Sequence, residues 1–262
     1  MKLVIAGYGP VGKAIEGVLR HRDIEIFIDD PMKGYNYSNE SMFDEPDGVI
    51  VCVATNERKD GSCNTDNVRD VFEKYGDTKY LIKSAVDPEW LVEESFVRKI
   101  RVTCSPEFLG SSNAFRDPTE EFANQTYAVY GGDDPRWWSD LFAPSLPKCT
   151  NIKFCTLEQA AFAKYVENCF LATKVTFFNE MYRIYQSLGF EGFDQMVDAI
   201  TVDPRIGRSH TAVPGPDGKF GWGGHCLPKD MQALRYVGNN WGETPLLDAV
   251  YDVNTQHRRE EM

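Results

Sequence analysis

The chain has 262 residues, 42% of them hydrophobic, and a formal net charge of -12. That length allows one large domain or two smaller ones with a substantial core. The acidic balance argues against nucleic acid or an anionic membrane as partner, since both call for clustered Lys and Arg. Small anionic ligands stay open, because local groups bind them. The seven cysteines are odd in number, irregularly spaced and free of any CxxC pair, so neither a zinc site nor a disulfide framework is indicated. The four histidines (His21, His210, His225 and His257) lack ligand spacing, and no metal is expected. No signal-peptide pattern and no apolar run of membrane-spanning length is present, which predicts a reduced, cytoplasmic protein.

Residues 2–6 form a short apolar run ending in the glycine turn Gly7-Tyr8-Gly9-Pro10-Val11-Gly12. A helical pattern follows at Val11, Ala14, Ile15, Val18 and Leu19, then a second strand at 25–28 that ends in Asp29. Strand, GxGxxG, helix, strand and acid is the dinucleotide-binding pattern in its proper context. Gly7 makes the turn, Gly9 lets a pyrophosphate approach the backbone, and Gly12 lets helix and strand pack closely. Asp29 is expected to accept hydrogen bonds from the adenosine ribose, which favours NAD over NADP. The alternative is a glycine turn in an α/β domain with no such ligand. Further strands are read at 48–54, 80–83, 102–104 and 126–130, with a helix at 67–75. Strands alternating with helices predict a parallel sheet.

The pattern changes at Thr156. Apolar residues at helical spacing predict one long helix over 157–188, stopped by Gly189. Shorter helices follow at 193–200, 229–237 and 245 to about 257. The fold expected is therefore α/β: a doubly wound Rossmann domain over 1–155 with a parallel sheet, then an all-α central domain over 156–262 built on the long helix.

Three places carry candidate chemistry. Lys164 and Asn168 are four apart on the long helix and share a face. The lysine either snorkels or is held in a site. Asp203-Pro204-Arg205-Ile206-Gly207 puts an arginine in a turn, as a surface residue or as an anion partner. Glu107, in Ser105-Pro106-Glu107-Phe108-Leu109, follows a strand whose carboxyl end is where open α/β sheets bind ligands. Most informative is the stretch 221–230, GWGGHCLPKD. Glycines permit close backbone approach, and Pro228 suits a first helical turn. Cys226 is then expected near a helix N-terminus beside Lys229, both of which favour a thiolate nucleophile. An isolated cysteine is more often a small buried apolar residue, but a core cysteine needs none of these neighbours. His225 is expected in loop packing or substrate contact.

These segments, taken in order (GYGPVG, SPEFL at 105–109, KYVENCFLATKVTFFNE at 164–180, DPRIG at 203–207 and GWGGHCLPKD), resemble the UDP-glucose/GDP-mannose dehydrogenase family over essentially the whole chain. The resemblance implies a nucleotide-sugar 6-dehydrogenase that oxidises the sugar C6 alcohol to a carboxylate with two NAD. Cys226 would form a thiohemiacetal and then a thioester, which water hydrolyses. Lys164 and Asn168 would stabilise the oxyanion and position water, Asp230 would share their proton network, and Glu107 would serve hydrolysis. Cofactor contacts are expected from Gly7, Gly9, Gly12, Asp29, Thr55, Ser84 and Lys229. Substrate contacts are expected from Leu109, Phe220 and the glycine loop (Gly221, Gly223), and from Arg205 toward the neighbouring subunit of a homodimer formed through the helical domain.

Three departures from the family pattern stand out. The family's third, C-terminal domain is not represented, Ala85 replaces a threonine, and Ser111 replaces an acid. The last two fall near the reaction centre, where losing a proton-transfer group costs about 10²–10⁴-fold in rate. A single-step NAD-dependent 3-hydroxy acid dehydrogenase and a non-catalytic NAD or nucleotide-sugar binder are the competing readings.

Overall fold

The computed structural model describes residues 1–20, 22–36, 45–109 and 117–259. They form two compact units: Met1–Asn56 with Cys63–Lys164, and Glu57–Ser62 with Tyr165–Met262. His21 and Ser111 lie outside the described residues.

The first unit is built on strands β1 (Lys2–Ala6), β2 (Glu25–Asp29), β3 (Gly48–Val51), β4 (Lys79–Ile82), β5 (Arg101–Cys104), β6 (Tyr127–Gly132) and β7 (Asn151–Cys155), in the order β2-β1-β3-β4-β5-β6-β7. Every neighbouring pair is parallel except β5 with β6. The sheet is thus mostly parallel, as the sequence predicts, with one short antiparallel joint. It spans only Thr103 with Gly132 and Cys104 with Gly131. A Cβ on Gly132, whose φ is +123°, would lie 2.1 Å from the Val102 carbonyl oxygen. Glycine alone lets the backbones come so close.

Helices α1 (Pro10–Leu19), α2 (Asp66–Tyr75), α3 (Pro88–Arg98), α4 (Pro118–Ala123) and α5 (Pro135–Phe142) complete this unit. Strand side chains alternate between two buried faces. Val4, Val49, Val51, Tyr80, Ile82 and Val102 meet α2, α3 and Ala160–Ala161 on one face; Leu3, Ile5, Ile50, Leu81 and Tyr130 meet α1, α4 and α5 on the other. Burial on both faces explains why these strands read as continuous apolar runs. From β1 the chain moves to β2 on one side and then to β3 on the other, so the sheet's order reverses at β1 and β3. Ligands bind outside the carboxyl ends of strands at such a switch point.

Helix α6 (Leu157–Ser187) starts in the first unit and continues through the second, which also holds α7 (Phe193–Ile200), α8 (Cys226–Trp241) and α9 (Pro245–Arg259). Cys169 and Ala172 of α6 pack with Trp222, Met231 of α8 and Val250 of α9, while Phe178, Phe193 of α7, Val197 and Val213 form a second cluster. Among the described residues no helix is long and apolar enough to cross a membrane.

Trp138 of α5 has no exposed surface and fills the space beside Gly48. Replacing it with alanine is expected to lower stability by about 3–5 kcal/mol, read as the shift in urea midpoint at constant slope.

Candidate functional site

The glycine turn has three glycines with three different reasons. Gly7 has φ +91°, and a Cβ there would lie 2.7 Å from the Cys52 carbonyl group. A Cβ on Gly12 would lie 2.2 Å from the Gly7 carbonyl oxygen, so α1 and the turn could not close. A Cβ on Gly9 would meet nothing within 4 Å. The protein's own packing does not call for glycine at position 9; close approach by a ligand does. Gly9 is also the residue before α1, and no side chain caps that helix. The helix N-terminus, with its unpaired N–H groups and positive dipole end, suits a pyrophosphate. These residues fit a dinucleotide.

Asp29, expected at the ribose, closes β2 with one oxygen engaged and the other, Oδ1, without a hydrogen-bond partner. On β2 it shares a face with Phe27, the face covered by α2. There its Oδ2 accepts from Lys74 Nζ at 2.7 Å and from the Tyr75 hydroxyl at 2.6 Å, and only 6% of Asp29 is exposed. Asp30, one residue on, sits at the glycine turn. Its Oδ2 accepts from the Tyr8 N–H at 2.8 Å, with Lys33 Nζ at 3.5 Å. Lys33 in turn donates to the Tyr8 carbonyl at 2.6 Å. The sequence shows both aspartates, and parity along the strand tells them apart.

At the strands' carboxyl ends, Thr55 donates to the Ala85 carbonyl at 2.6 Å and Ser84 to the Val53 carbonyl at 2.7 Å. These bonds lace the segments after β3 and β4 together. Glu107 is buried, its Oε1 accepting from the Phe108 N–H at 2.8 Å and its Oε2 lying 3.2 Å from Lys83 Nζ. Sequence reading passed over Lys83, although a lysine continuing a buried strand needs a partner. Leu109 packs against the core beneath. The Lys164 ammonium stands 4.8 Å from the Phe108 ring centroid.

The second unit shows how the cysteine is presented. Helix α8 begins at Cys226, three residues before the start read from the sequence, with His225 at its cap, so Cys226 lies at the helix N-terminus as expected. Of the seven cysteines Cys226 is the exposed one. Burial pushes the thiols of Cys52, Cys104 and Cys169 up to about 12 and raises Cys149 and Cys155. Those five are held as neutral thiols near pH 7, which is unfavourable for nucleophiles. One turn after Cys226, on the same helix face, Asp230 is 1% exposed. It accepts from Asn168 Nδ2 at 2.5 Å and from Lys229 Nζ, and its backbone carbonyl accepts from the Cys169 thiol. Lys229, expected at the cofactor, is itself buried and spends its charge on Asp230.

The loop before Cys226 is pinned from two helices. The Gly221 N–H donates to Asn179 of α6 at 2.9 Å, the Trp222 N–H to Asn254 of α9 at 2.7 Å, and the Trp222 indole N–H to Thr176 at 2.9 Å. A Cβ on Gly221 or Gly223 would collide with Asn254 or Arg258. Internal packing and a φ of +71° therefore account for Gly221, whereas at Gly223 only the movable guanidinium end of Arg258 stands in the way. Gly224, at φ +77° with nothing within 4 Å, is the glycine facing open space. Phe220 packs 5.9 Å from the Tyr182 ring. The Arg205 side chain is 88% exposed and paired with Asp203 at 2.6 Å. It edges a cavity of about 650 Å³ that Phe170, Phe177, Met181 and Ile184 of α6 line with Ile200. Among the described residues no His, Cys, Asp and Glu group could hold a metal ion.

Comparison with known proteins agrees with these features. Residues 158–256 match the UDP-glucose/GDP-mannose dehydrogenase family, central domain. YtcA of Bacillus subtilis and a UDP-glucose 6-dehydrogenase of Rickettsia bellii are 32% and 29% identical over 237 and 241 residues, covering 84% and 86% of this chain. The chain spans about half the length of the curated relatives it matches, 53% and 52% for these two. A UDP-glucose dehydrogenase from Pyrobaculum islandicum has the same fold, with a TM-score of 0.76 at 24% identity over 97% of this chain and 68% of that one. So has a 3-hydroxyisobutyrate dehydrogenase from Mycobacterium tuberculosis, with 0.69 at 18% identity over 98% of this chain and 94% of that one. With the family's central-domain match lying on the helices that hold Asn168, Cys226 and Asp230, the chain belongs to the UDP-glucose/GDP-mannose dehydrogenase family.

Proposed function

We propose that this chain carries out the NAD-dependent oxidation of the C6 alcohol of UDP-glucose, or of a similar nucleotide sugar, to the uronate. The observation that carries this reading is Cys226: the exposed thiol among seven, at the start of α8, one turn from a buried aspartate bonded to Asn168. A single alcohol oxidation has no need of such a thiol; an oxidation that continues to the carboxylate does, because an aldehyde must be captured covalently.

The balance is R–CH2OH + 2 NAD⁺ + H2O giving R–COO⁻ + 2 NADH + 3 H⁺. NAD supplies the hydride acceptor for both steps. The turn at Gly7, Gly9 and Gly12, with the α1 N-terminus, would hold its pyrophosphate. The Asp29 carboxylate, whose Oδ1 has no partner while its Oδ2 is held by Lys74 and Tyr75, would take the ribose. The Cys226 sulfur adds to the aldehyde carbon to form the thiohemiacetal, whose oxidation gives the thioester. Asp230 fixes the Asn168 amide, which would donate to the oxyanion together with Lys164, one turn earlier on α6. Glu107 would accept the proton of the water that hydrolyses the thioester. A reducing, cytoplasmic setting would keep the Cys226 thiol available for this chemistry.

An exposed stripe on α6 (Val166, Phe170, Phe177 and Ile184), continued by Leu188 just after it, supports a homodimer through the helical unit. Arg205 at the edge of the same cavity would lie at that interface, where it could reach the partner's substrate. A single-step 3-hydroxy acid dehydrogenase remains as second reading on one observation. The Mycobacterium enzyme's fold matches nearly its whole length to this chain.

Incubation with NAD and UDP-glucose, then GDP-mannose, is expected to yield two NADH per sugar, abolished in Cys226→Ser; one NADH, with Cys226→Ser active, would turn the assignment to the second reading. Titration of NAD by protein fluorescence should show Asp29→Asn weakening binding about tenfold or more, the scale of one lost charge-assisted hydrogen bond; loss in Asp30→Ala alone, with Asp29→Asn unchanged, would move the ribose assignment to Asp30. Light scattering should report a dimer for the wild-type chain and a monomer for Phe170→Glu/Phe177→Glu; a wild-type monomer sinks the interface.

A further inference from the structure

Lys83 continues β4 into the sheet's interior, where a cation has no water to turn to. Its side chain is 4% exposed. The ammonium lies 3.2 Å from Glu107 Oε2, 3.4 Å from the Ser105 hydroxyl and 5.3 Å from the Phe122 ring centroid. The titratable groups around the pair are Cys52 after β3, Cys104 of β5, Tyr130 of β6 and Cys149 before β7. Burial raises all four, so each is neutral near pH 7. In this cluster the lysine and the glutamate are each other's counter-charge. A buried charge that loses its partner is strongly disfavoured, and a carboxylate relieves that by taking up a proton.

We infer that Lys83 is a positioning residue for Glu107, holding its carboxylate in place and charged so that it can accept a proton from the hydrolytic water. This rests on the reading of the chain as a nucleotide-sugar 6-dehydrogenase. In the step concerned, the water oxygen adds to the thioester carbonyl carbon and its proton passes to Glu107. The C–S bond then breaks, its electron pair leaves with the Cys226 sulfur, and the product carboxylate departs. Lys83 touches neither water nor thioester. Its effect is confined to Glu107, so the steps before hydrolysis do not depend on it.

The test compares wild-type chain, Lys83→Met and Lys83→Arg with NAD and UDP-glucose between pH 6 and 9. Pre-steady-state NADH, steady-state rate and intact protein mass are followed. In Lys83→Met the early NADH burst is expected to keep its amplitude while steady turnover at pH 7 falls about 10²-fold or more. The Cys226 acyl adduct should accumulate in the mass spectrum. The pH–rate profile of Lys83→Met should differ from the wild-type profile. Lys83→Arg should restore most of the wild-type profile. If Lys83→Met does not fold, Lys83→Gln is read the same way. Wild-type turnover with an unmoved profile in the folded variant overturns this role alone. No turnover by the wild-type chain overturns the dehydrogenase reading and this role with it.

Discussion

A carboxylate with 1% of its surface exposed must be matched by donors, because an unpartnered buried charge costs several kcal/mol. The way the chain matches Asp230 decides where its exposed thiol lies. Asn168 and Lys229 both donate to it, and the Cys169 thiol donates to its backbone carbonyl. Each bond joins α8 to α6 or locks α8's first turns. Cys226 opens that helix, so its place follows from a polar contact one turn further on. The loop before it is fixed the same way, by the Asn179, Asn254 and Thr176 side chains accepting from the Gly221 and Trp222 N–H groups. Hydrophobic packing of Trp222, Met231 and Val250 supplies the bulk of the burial, but apolar contacts are non-directional. The directional part is polar.

The first unit shows a different division of labour. Its inner strands are apolar on both faces, and its polar groups gather where strands end. Thr55, Ser84, Lys83 and Glu107 all lie there. Each is satisfied by the neighbouring strand's end rather than by its own element. That is what a parallel sheet with covered faces requires: water reaches it only at its edges.

Much of this was legible beforehand. The glycine turn, the long helix and, to within three residues, the start of α8 follow from spacing and from the residues that begin and end helices. Helices α3, α4 and α5 went unread, although all three open with Asp-Pro: Asp87-Pro88, Asp117-Pro118 and Asp134-Pro135. Asp accepts from the first N–H groups, and Pro has none to leave unpaired. At Asp87 and Asp117 those capping bonds form. The signal was present and its physical meaning was available. Strand β7 was harder, since its alternation is weak and much of it is exposed. The antiparallel joint of β5 and β6 could not be read at all, because it depends on what Gly132 meets across the sheet.

The site shows why one residue's shift in a strand matters more than a shift in a loop. Asp29 and Asp30 are chemically identical and adjacent, and a motif written by spacing accepts either. A strand turns successive side chains to opposite faces, so the pair cannot share a task. Phe27 packs under α2, and Asp29, two residues on, must follow it there. Lys74 and Tyr75 then make that burial tolerable. Asp30 is released by the strand's end and reaches the Tyr8 N–H at the glycine turn. The glycines before Cys226 divide likewise. Gly221 is required by Asn254, whereas Gly224 has a positive φ and open space, and at Gly223 only the movable end of Arg258 is met. A motif records which residues occur together. Which of them faces a ligand is settled by what each would otherwise touch.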